Sequence, residues 1–293
     1  TNPASHYSLT MAALKAGKHV YCEKPLATSL EEANEIVEFA ADKGLFVGAA
    51  PDTFLSPEFQ TVRKLIDEGA VGKVIHVTAN YVGPGADLWH PNAGFLYKKG
   101  GGPALDMGPY FMTTLVSILG PLESVFAFAN RGWDVRDIHG KDVDVDVSTN
   151  YGAVLKFASG TVGNINLSYD MWKSDLPAMQ MYGTDGVLIC PNPNTMSGPI
   201  KLLKADEFKA FVESKEGMIP RLGAIYGPQS FELFREIDTV APRIGNERGL
   251  GVTDMADAIL TGGKPRVSAD LCRHVTEAIN AFNVSVETGL PYK

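Results

Sequence analysis

The sequence predicts an α/β protein in which a partial, doubly wound parallel sheet precedes an α+β region with a large, mainly antiparallel sheet. Residues 1–73 alternate short apolar strands with helices, a pattern typical of parallel sheets. From Val74 onwards several strands follow one another directly, and most alternate apolar with polar residues. We therefore expect two domains, residues 1–73 and 74–293, with the final helices packing back on the first.

Helix start and stop signals divide the first region. Helices are predicted at residues 4–16, 29–42 and 57–69, and strands at 19–22 and 45–49. Gly17 ends the first helix before the strand HVYC. Ser29 and Glu32 form a capping box that opens the second helix, and Gly44 ends it before the strand LFVGA. Pro57 suits the first turn of the third helix, where a missing N–H costs nothing.

The second region is predicted to be rich in strands. The strand-like segments are VIHVTANYV, SVFAFAN, VSTNYGAVLKFA, TVGNINLSYD and AMQMYG. Ser159-Gly160 reads as the turn of a hairpin. One helix is predicted at 109–119, and two more close the chain near 254–260 and 270–287.

Charge and composition narrow the function classes. The 293 residues carry 26 basic and 34 acidic side chains, a net charge of −8, without a long basic run. Nucleic acids and anionic membranes need a cationic face, so neither is an expected partner. No apolar run approaches the ~20 residues that span a bilayer. A cytoplasmic location is the expectation. The first residues, TNPASHYS, do not form a signal peptide, but this is weak evidence about export.

No metal site is predicted. Cys22, Cys190 and Cys272 are widely spaced and form no CxxC or Cys/His cluster, so we expect reduced, buried thiols. The run KDVDVDV alternates aspartates, but a calcium loop would need glycine at Val147 and glutamate at Ala153. A strand with one acidic face explains it. A GxGxxG fingerprint is absent from the sequence, and GGKP lacks the rest of a phosphate loop.

The segment HVYCEKP places Glu23 and Lys24 directly after a predicted strand. Open α/β proteins bind ligands at the carboxyl ends of their parallel strands. A lysine there can donate hydrogen bonds to ribose or substrate hydroxyls. The alternative is an ordinary surface Glu–Lys pair. We also expect a cis Lys24–Pro25 bond, because cis peptide bonds are largely a proline feature.

The segment GGGPALDMGPYF offers a second candidate site. Three glycines at 100–102 allow close approach of the backbone, and Asp106 and Tyr110 lie four residues apart as a helix begins. A carboxylate hydrogen-bonded to a phenol could relay a proton. The alternative is an N-capping Asp106 beside a buried tyrosine.

A third candidate is LWHPNAGF, in which Trp89 and His90 occupy a loop bounded by proline. The indole could stack on the apolar face of a sugar or polyol, and the imidazole could bind hydroxyls. A packed loop histidine is the alternative.

Together these segments resemble the Gfo/Idh/MocA family of oxidoreductases over essentially the whole chain. The segments that carry the resemblance are Asn2-Pro3-x-x-His6, AALKAGKHVYCEKPLA, GGGPALDMGPY and VLKFASGTVGNI. EKP alone is short, but its distance from the glycine-rich motif and the preceding NPxxH make the combination specific. Family members bind NAD or NADP on a Rossmann domain and oxidise or reduce sugars, inositols and related polyols.

The resemblance implies roles for individual residues. Lys24, Asp106 and Tyr110 would be catalytic, with Lys24 touching both the nicotinamide ribose and the reacting hydroxyl. The cofactor-binding residues would be Asn2, Pro3, His6, Glu23 and Lys24. The substrate would contact Trp89, His90, Lys24 and Asp106.

Tyr110 departs from the pattern of most members, which carry a catalytic histidine there. A subgroup that includes glucose–fructose oxidoreductase and dimeric dihydrodiol dehydrogenase also uses tyrosine. By this resemblance Tyr110 would act as general acid in reduction, or as base once Lys24 lowers its pKa.

A second departure is that the family's GxGxxG turn and first strands precede NPxxH, whereas this sequence starts at Thr1. About two βαβ units, each of roughly 30 residues or more, precede NPxxH in the family and are absent from this sequence. The sequence is therefore expected to be a fragment of a longer product or a truncated relative. Residues 1–47 would pair with another chain's sheet or form a reduced sheet.

The leading hypothesis is an NAD(P)-dependent sugar or polyol oxidoreductase. Two alternatives stay open: an NAD-dependent glycosidase that uses transient oxidation, and a truncated, non-catalytic relative that binds sugar or only assembles. The resemblance also implies a homo-oligomer, a dimer or tetramer, formed through the sheet of residues 74–190.

Overall fold

A computed structural model of the chain, which describes residues 2–243 and 248–293, confirms the α/β class. The helices are α1 (His6–Lys15), α2 (Leu30–Asp42), α3 (Pro57–Asp67), α4 (Pro103–Asp106), α5 (Gly108–Leu119), α6 (Ala205–Glu213), α7 (Met218–Tyr226), α8 (Leu250–Thr261) and α9 (Ala269–Thr288). The strands are β1 (Val20–Cys22), β2 (Val47–Ala49), β3 (Val74–Val82), β4 (Leu122–Asn130), β5 (Val135–Asp137), β6 (Asp142–Asp144), β7 (Asn150–Phe157), β8 (Val162–Ser168), β9 (Met179–Gly183), β10 (Gly186–Cys190), β11 (Lys201–Lys204) and β12 (Arg235–Glu236).

The N-terminal part forms a reduced, two-stranded sheet, one of the two arrangements that the sequence analysis left open. Strands β1 and β2 pair in parallel, with Val20 opposite Val47 and Cys22 opposite Ala49. The capping box of α2 is confirmed in one half: the Ser29 hydroxyl accepts a hydrogen bond from the Glu32 N–H at 3.2 Å. The Glu32 carboxylate does not return to Ser29 but accepts from the neighbouring Thr28 hydroxyl at 3.1 Å.

The second sheet has eight strands in the order β12-β11-β10-β9-β3-β8-β7-β4. It is mainly antiparallel, as predicted, and β3–β8 is its one parallel pair among the described residues. The hairpin predicted at Ser159-Gly160 joins β7 and β8. Because β3 and β8 run in the same direction, the loops after both strands emerge at the same end of the sheet.

Helices α5 and α9 cover one face of this sheet. Along β7 the buried residues are Tyr151, Ala153, Leu155 and Phe157, and these pack with Phe111 and Met112 of α5 and Phe282 of α9. The alternating residues face away from the helices, and Val154 is 57% exposed there. Strict alternation thus gives one apolar, helix-covered face and one open face.

Helix α9 also packs against the N-terminal part of the chain. The Cys272 sulfur accepts a hydrogen bond from the Ala49 N–H of β2 at 3.1 Å. Val267, Cys272 and Leu271 belong to the apolar cluster that includes Ile36 of α2 and Val47 of β2. The domain boundary at residue 73 stays a prediction.

The prediction of a single internal helix was wrong, because α6 and α7 form a helical pair after β11. Gly217, Pro220 and Gly223 hide this pair in the sequence, since glycine and proline usually interrupt helices. Pro220 is nevertheless the third residue of α7 and lies in its first turn, where its missing N–H removes no intrahelical bond.

The predicted thiols are free: Cys190 and Cys272 are buried, and Cys22 is half-buried. Across residues 2–243 and 248–293, no helix is both long and apolar enough to cross a membrane. The same residues contain no cluster of three or more His, Cys, Asp or Glu side chains arranged to hold a metal ion.

Replacing Gly183 with alanine tests the close packing at the end of β9. A Cβ atom there would lie 1.9 Å from the Val71 carbonyl oxygen, so the backbone must shift. We expect Gly183→Ala to lower the free energy of unfolding by about 1–3 kcal/mol, measured by urea denaturation.

Gly223→Ala is the matched control, because nothing lies within 4 Å of a Cβ atom built at this helical position. It should raise the free energy of unfolding by about 0.5–1 kcal/mol, since alanine loses less backbone entropy in a helix. Equal effects of the two substitutions would contradict the packing described for Gly183.

Candidate functional site

Lys24 lies at the carboxyl end of β1, as the sequence predicts. The Lys24–Pro25 peptide bond is cis, also as predicted. The ring of His6 is buried and its Nδ1 atom lies 2.7 Å from the Pro25 carbonyl oxygen. His6, expected to contact the cofactor, therefore holds the turn that aims Lys24.

The glycine run 100–102 places Asp106. A Cβ atom at Gly101 would lie 2.5 Å from the Leu96 carbonyl oxygen, so only glycine allows this approach. Gly102 has φ of +85° and donates from its N–H to the same Leu96 carbonyl at 2.7 Å. Helix α4 starts at the next residue and ends at Asp106, which turns the carboxylate towards Lys24.

Lys24 and Asp106 form an ion pair. The Lys24 Nζ atom donates to the Asp106 carbonyl oxygen at 2.8 Å and to Oδ1 of its carboxylate. The side chains are 15% and 24% exposed, so both remain open to a ligand. They line a small cavity together with Pro3, Pro25, Phe95 and Gly100.

The phenol bonded to Asp106 is that of Tyr169, not Tyr110. The Tyr169 hydroxyl donates to Asp106 Oδ2 at 2.5 Å. Asp106 ends α4 whereas Tyr110 belongs to α5, and Met107 separates the two helices, so the spacing of four does not create the expected pair. Sequence reasoning missed Tyr169; its only signal is its place directly after β8, at the end of the sheet where β3 also stops.

Tyr110 lies between two cations. Lys24 Nζ is 5.2 Å and Arg248 Cζ is 5.4 Å from the centre of its ring. Burial raises the pKa of Tyr110, and it outweighs the lowering by Lys24 and Arg248. The expectation that Lys24 would bring a net lowering was therefore wrong, and Tyr110 is suited to hold its proton at neutral pH.

Arg248 is a second residue that the sequence analysis missed. Its Nη2 atom donates to the Asn194 carbonyl oxygen at 2.7 Å and to the Asn194 side chain at 3.0 Å. The arginine comes from the segment before α8 and Asn194 from the loop after β10, so no local motif could indicate their contact with Tyr110.

The remaining residues expected at the cofactor have local roles or line the cavity. The Asn2 side chain accepts from the Ala4 N–H at 3.1 Å and so caps the first helical turn. Glu23 accepts from the Lys24 N–H at 3.0 Å. Pro3 lines the cavity beside Lys24.

Trp89 and His90 lie near this cavity but do not line it. Trp89 is 72% exposed, and its ring centre lies 5.5 Å from that of His90. The His90 ring packs against Phe95, at 5.8 Å, and Phe95 borders the cavity. His90 is thus separated from the cavity by Phe95, and Trp89 by His90 and Phe95.

The residues present fit the nicotinamide end of a dinucleotide. An amine and a carboxylate, both partly exposed, meet at the carboxyl edge of a parallel sheet, where such ligands bind. The glycine fingerprint that would bind the pyrophosphate is not in this sequence.

Family models match most of the chain. An oxidoreductase model described as an NAD-binding Rossmann fold matches residues 1–50, and the GFO/IDH/MocA C-terminal domain matches residues 59–189. The chain is 30% identical to D-xylose dehydrogenase of Paenarthrobacter nicotinovorans, covering 62% of this chain and 51% of the relative. It is 30% identical to 1,5-anhydro-D-fructose reductase of Ensifer adhaerens, covering 69% and 59%.

Solved structures share the fold. Levoglucosan dehydrogenase in complex with NADH and L-sorbose superposes with a TM-score of 0.79 at 21% identity, covering all of this chain and 77% of that one. An NAD-binding oxidoreductase from Klebsiella pneumoniae gives the same TM-score at 19% identity. The chain spans between half and three fifths of the length of the two curated relatives named above. Both family models agree: the chain belongs to the Gfo/Idh/MocA oxidoreductase family.

Proposed function

We propose that the chain functions in an NAD(P)-dependent oxidoreductase that transfers hydride between the nicotinamide and a hydroxyl or carbonyl group of a sugar, inositol or related polyol. The observation that carries the proposal is the ion pair of Lys24 and Asp106 beside Tyr110, open to one cavity. The names of the relatives support the substrate class, since two are a sugar dehydrogenase and a sugar-derivative reductase.

Bound NAD or NADP would accept or supply the hydride, and the chain's own residues would handle the proton. The Lys24 ammonium donates two of its three N–H groups to Asp106, and the third is available for the reacting oxygen. Tyr110 holds its proton at neutral pH, so it would act as general acid when a carbonyl is reduced. In oxidation the reacting hydroxyl gives up its proton, and Tyr110 would take it once ionised.

The two alternatives from the sequence analysis, a glycosidase and a non-catalytic relative, have less support. None of the relatives named above supports the glycosidase. The non-catalytic reading predicts a site without cofactor affinity, and the paired Lys24 and Asp106 argue for a working site instead.

The open face of the large sheet supports the proposed homo-oligomer. Its apolar side chains are exposed: Phe128 at 70%, Val154 at 57% and Val162 at 42%. The register places Phe126 and Phe128 on the same face as Val154, and their rings lie 5.0 Å apart. Burying such a face against a second copy would remove a large apolar surface from water.

Calorimetric titration of NADH and NADPH into this 293-residue chain and into the complete product of its gene tests the proposal. We expect binding by a product that carries a glycine-rich helix start, because the pyrophosphate needs one and these 293 residues do not contain it. The preferred cofactor would also be identified. Absence of binding by either protein would refute the dehydrogenase proposal and leave a non-catalytic sugar-binding role.

Tyr110→Phe tests the proton role in the protein that binds cofactor. We expect turnover to fall at least about a hundredfold, the usual contribution of general acid–base catalysis. Because the pKa of Tyr110 is raised, wild-type oxidation should accelerate as the pH rises towards and above 10, whereas reduction should slow there.

The profile of kcat/KM against pH measures this. Tyr151→Phe is the control for the loss of a phenol, because Tyr151 does not line the cavity and its hydroxyl is bonded to Asn283. Near-wild-type turnover of Tyr110→Phe would remove Tyr110 from the mechanism.

Val154→Lys tests the proposed interface. A lysine there would place an unpaired charge in the middle of an apolar contact, so the molar mass measured by light scattering should fall to that of one chain. Val252→Lys, on the 53% exposed Val252 of α8, is the matched control and should leave the mass unchanged. An unchanged mass for Val154→Lys, or a monomeric wild type, would contradict this interface.

A further inference from the structure

Tyr169 is held at both ends. Its side chain is 1% exposed, and its hydroxyl donates to Asp106 Oδ2 at 2.5 Å. Its N–H donates to the Thr149 carbonyl at 2.8 Å, and its carbonyl accepts from Arg136 Nη2 at 2.9 Å. A tyrosine clamped in this way has little freedom to move its hydroxyl away from Asp106.

The clamp continues into a buried charge cluster. Arg136 donates to Asp170 at 2.5 Å and to Asp87 at 3.1 Å, and these three side chains are only 9–10% exposed. The guanidinium also lies 4.4 Å from the ring centre of Trp133. Buried ion pairs are costly to break, because removing one partner leaves an uncompensated charge.

The cluster borders a cleft between Trp133 and Trp172. Both carboxylates are hydrogen-bonded within the protein, whereas the buried Nε atom of Arg136 has no hydrogen-bond partner. Asp170 Oδ2 accepts from the Thr149 hydroxyl at 2.6 Å and from the Gly132 N–H at 2.8 Å. Its Oδ1 accepts from Arg136. The cluster therefore ties loops together at the end of the sheet, and Tyr169 is what it holds in place.

The hydroxyl of Tyr169 acts as a donor only. Burial and then the Asp106 carboxylate raise its pKa well above the ordinary value for tyrosine, so the hydroxyl keeps its proton at neutral pH. It fixes Oδ2 of Asp106 and leaves Oδ1 to Lys24.

We propose that Tyr169 is a positioning residue: its hydroxyl locks the Asp106 carboxylate so that Oδ1 and the backbone carbonyl hold the Lys24 ammonium towards the reacting oxygen. This inference rests on the proposed function of Lys24 and Asp106. Tyr169 does not line the cavity beside Lys24, and it acts through Asp106. The titratable side chains that face Asp106 are Lys24, Tyr81, Tyr110 and Tyr169.

Tyr169→Phe tests the proposal in the cofactor-binding, full-length protein. It keeps the ring and removes one hydrogen bond to a charged group, so kcat should fall about tenfold or more while KM changes less than about threefold. Tyr151→Phe is the control: Tyr151 is also buried, but its hydroxyl donates to Asn283 at 2.6 Å.

A second readout does not depend on activity. A short hydroxyl–carboxylate bond gives a far-downfield, exchange-protected proton resonance. Tyr97 and Asp87 form a second short pair of this kind. The resonance of the Tyr169–Asp106 pair is therefore identified as the one that is present in the wild type and in Tyr151→Phe and lost in both Tyr169→Phe and Asp106→Asn. If Tyr169→Phe fails to fold, Asp106→Asn alone decides the resonance test.

The outcomes separate the two proposals. The resonance without turnover in the wild type would refute the proposed function and leave the clamp intact. Wild-type kcat in Tyr169→Phe, or a fall in kcat accompanied by an equal or larger rise in KM, would overturn the positioning role. Tyr169→Phe should also add no further loss of kcat to Asp106→Asn, and a fully additive loss would overturn it too.

Discussion

The site depends on one carboxylate. Asp106 accepts from Lys24 through Oδ1 and from Tyr169 through Oδ2, and these partners lie 82 and 63 residues away in the sequence. A partly buried charge is tolerated only when both its charge and its lone pairs are satisfied. Asp106 therefore ties the carboxyl edge of the N-terminal sheet to the end of the large sheet, and the cavity forms where these two meet.

Two unlike devices hold that carboxylate. The glycine run at 100–102 lets the backbone approach Leu96 so closely that helix α4 ends with Asp106 facing Lys24. On the other side, the buried pairs of Arg136 hold the backbone of Tyr169. The glycine run allows this approach because it has no side chains, whereas Arg136 holds Tyr169 through buried ion pairs. Both arrangements restrict the position of the Asp106 carboxylate.

The environment of Tyr110 shows why local charge alone does not fix a pKa. Lys24 and Arg248 both favour the phenolate, but burial in a poorly hydrated site disfavours it by more. The neighbouring carboxylates of Asp106 and Glu23 act in the same direction as burial. The result favours a phenol that keeps its proton, which suits an acid in carbonyl reduction better than a base in hydroxyl oxidation.

The sequence by itself determined the class of sheet, most strands and the places of Lys24 and Asp106, because alternation, helix caps and the glycine run are local signals. It also gave the family, through motifs at fixed distances. Tertiary structure alone decided that Asp106 pairs with Tyr169, that Arg248 lies over Tyr110, and that α6 and α7 form despite Gly217 and Pro220. These contacts join residues that are far apart in the chain, or they depend on the balance of burial and charge. Such features produce no pattern among neighbouring residues, so the sequence alone does not reveal them.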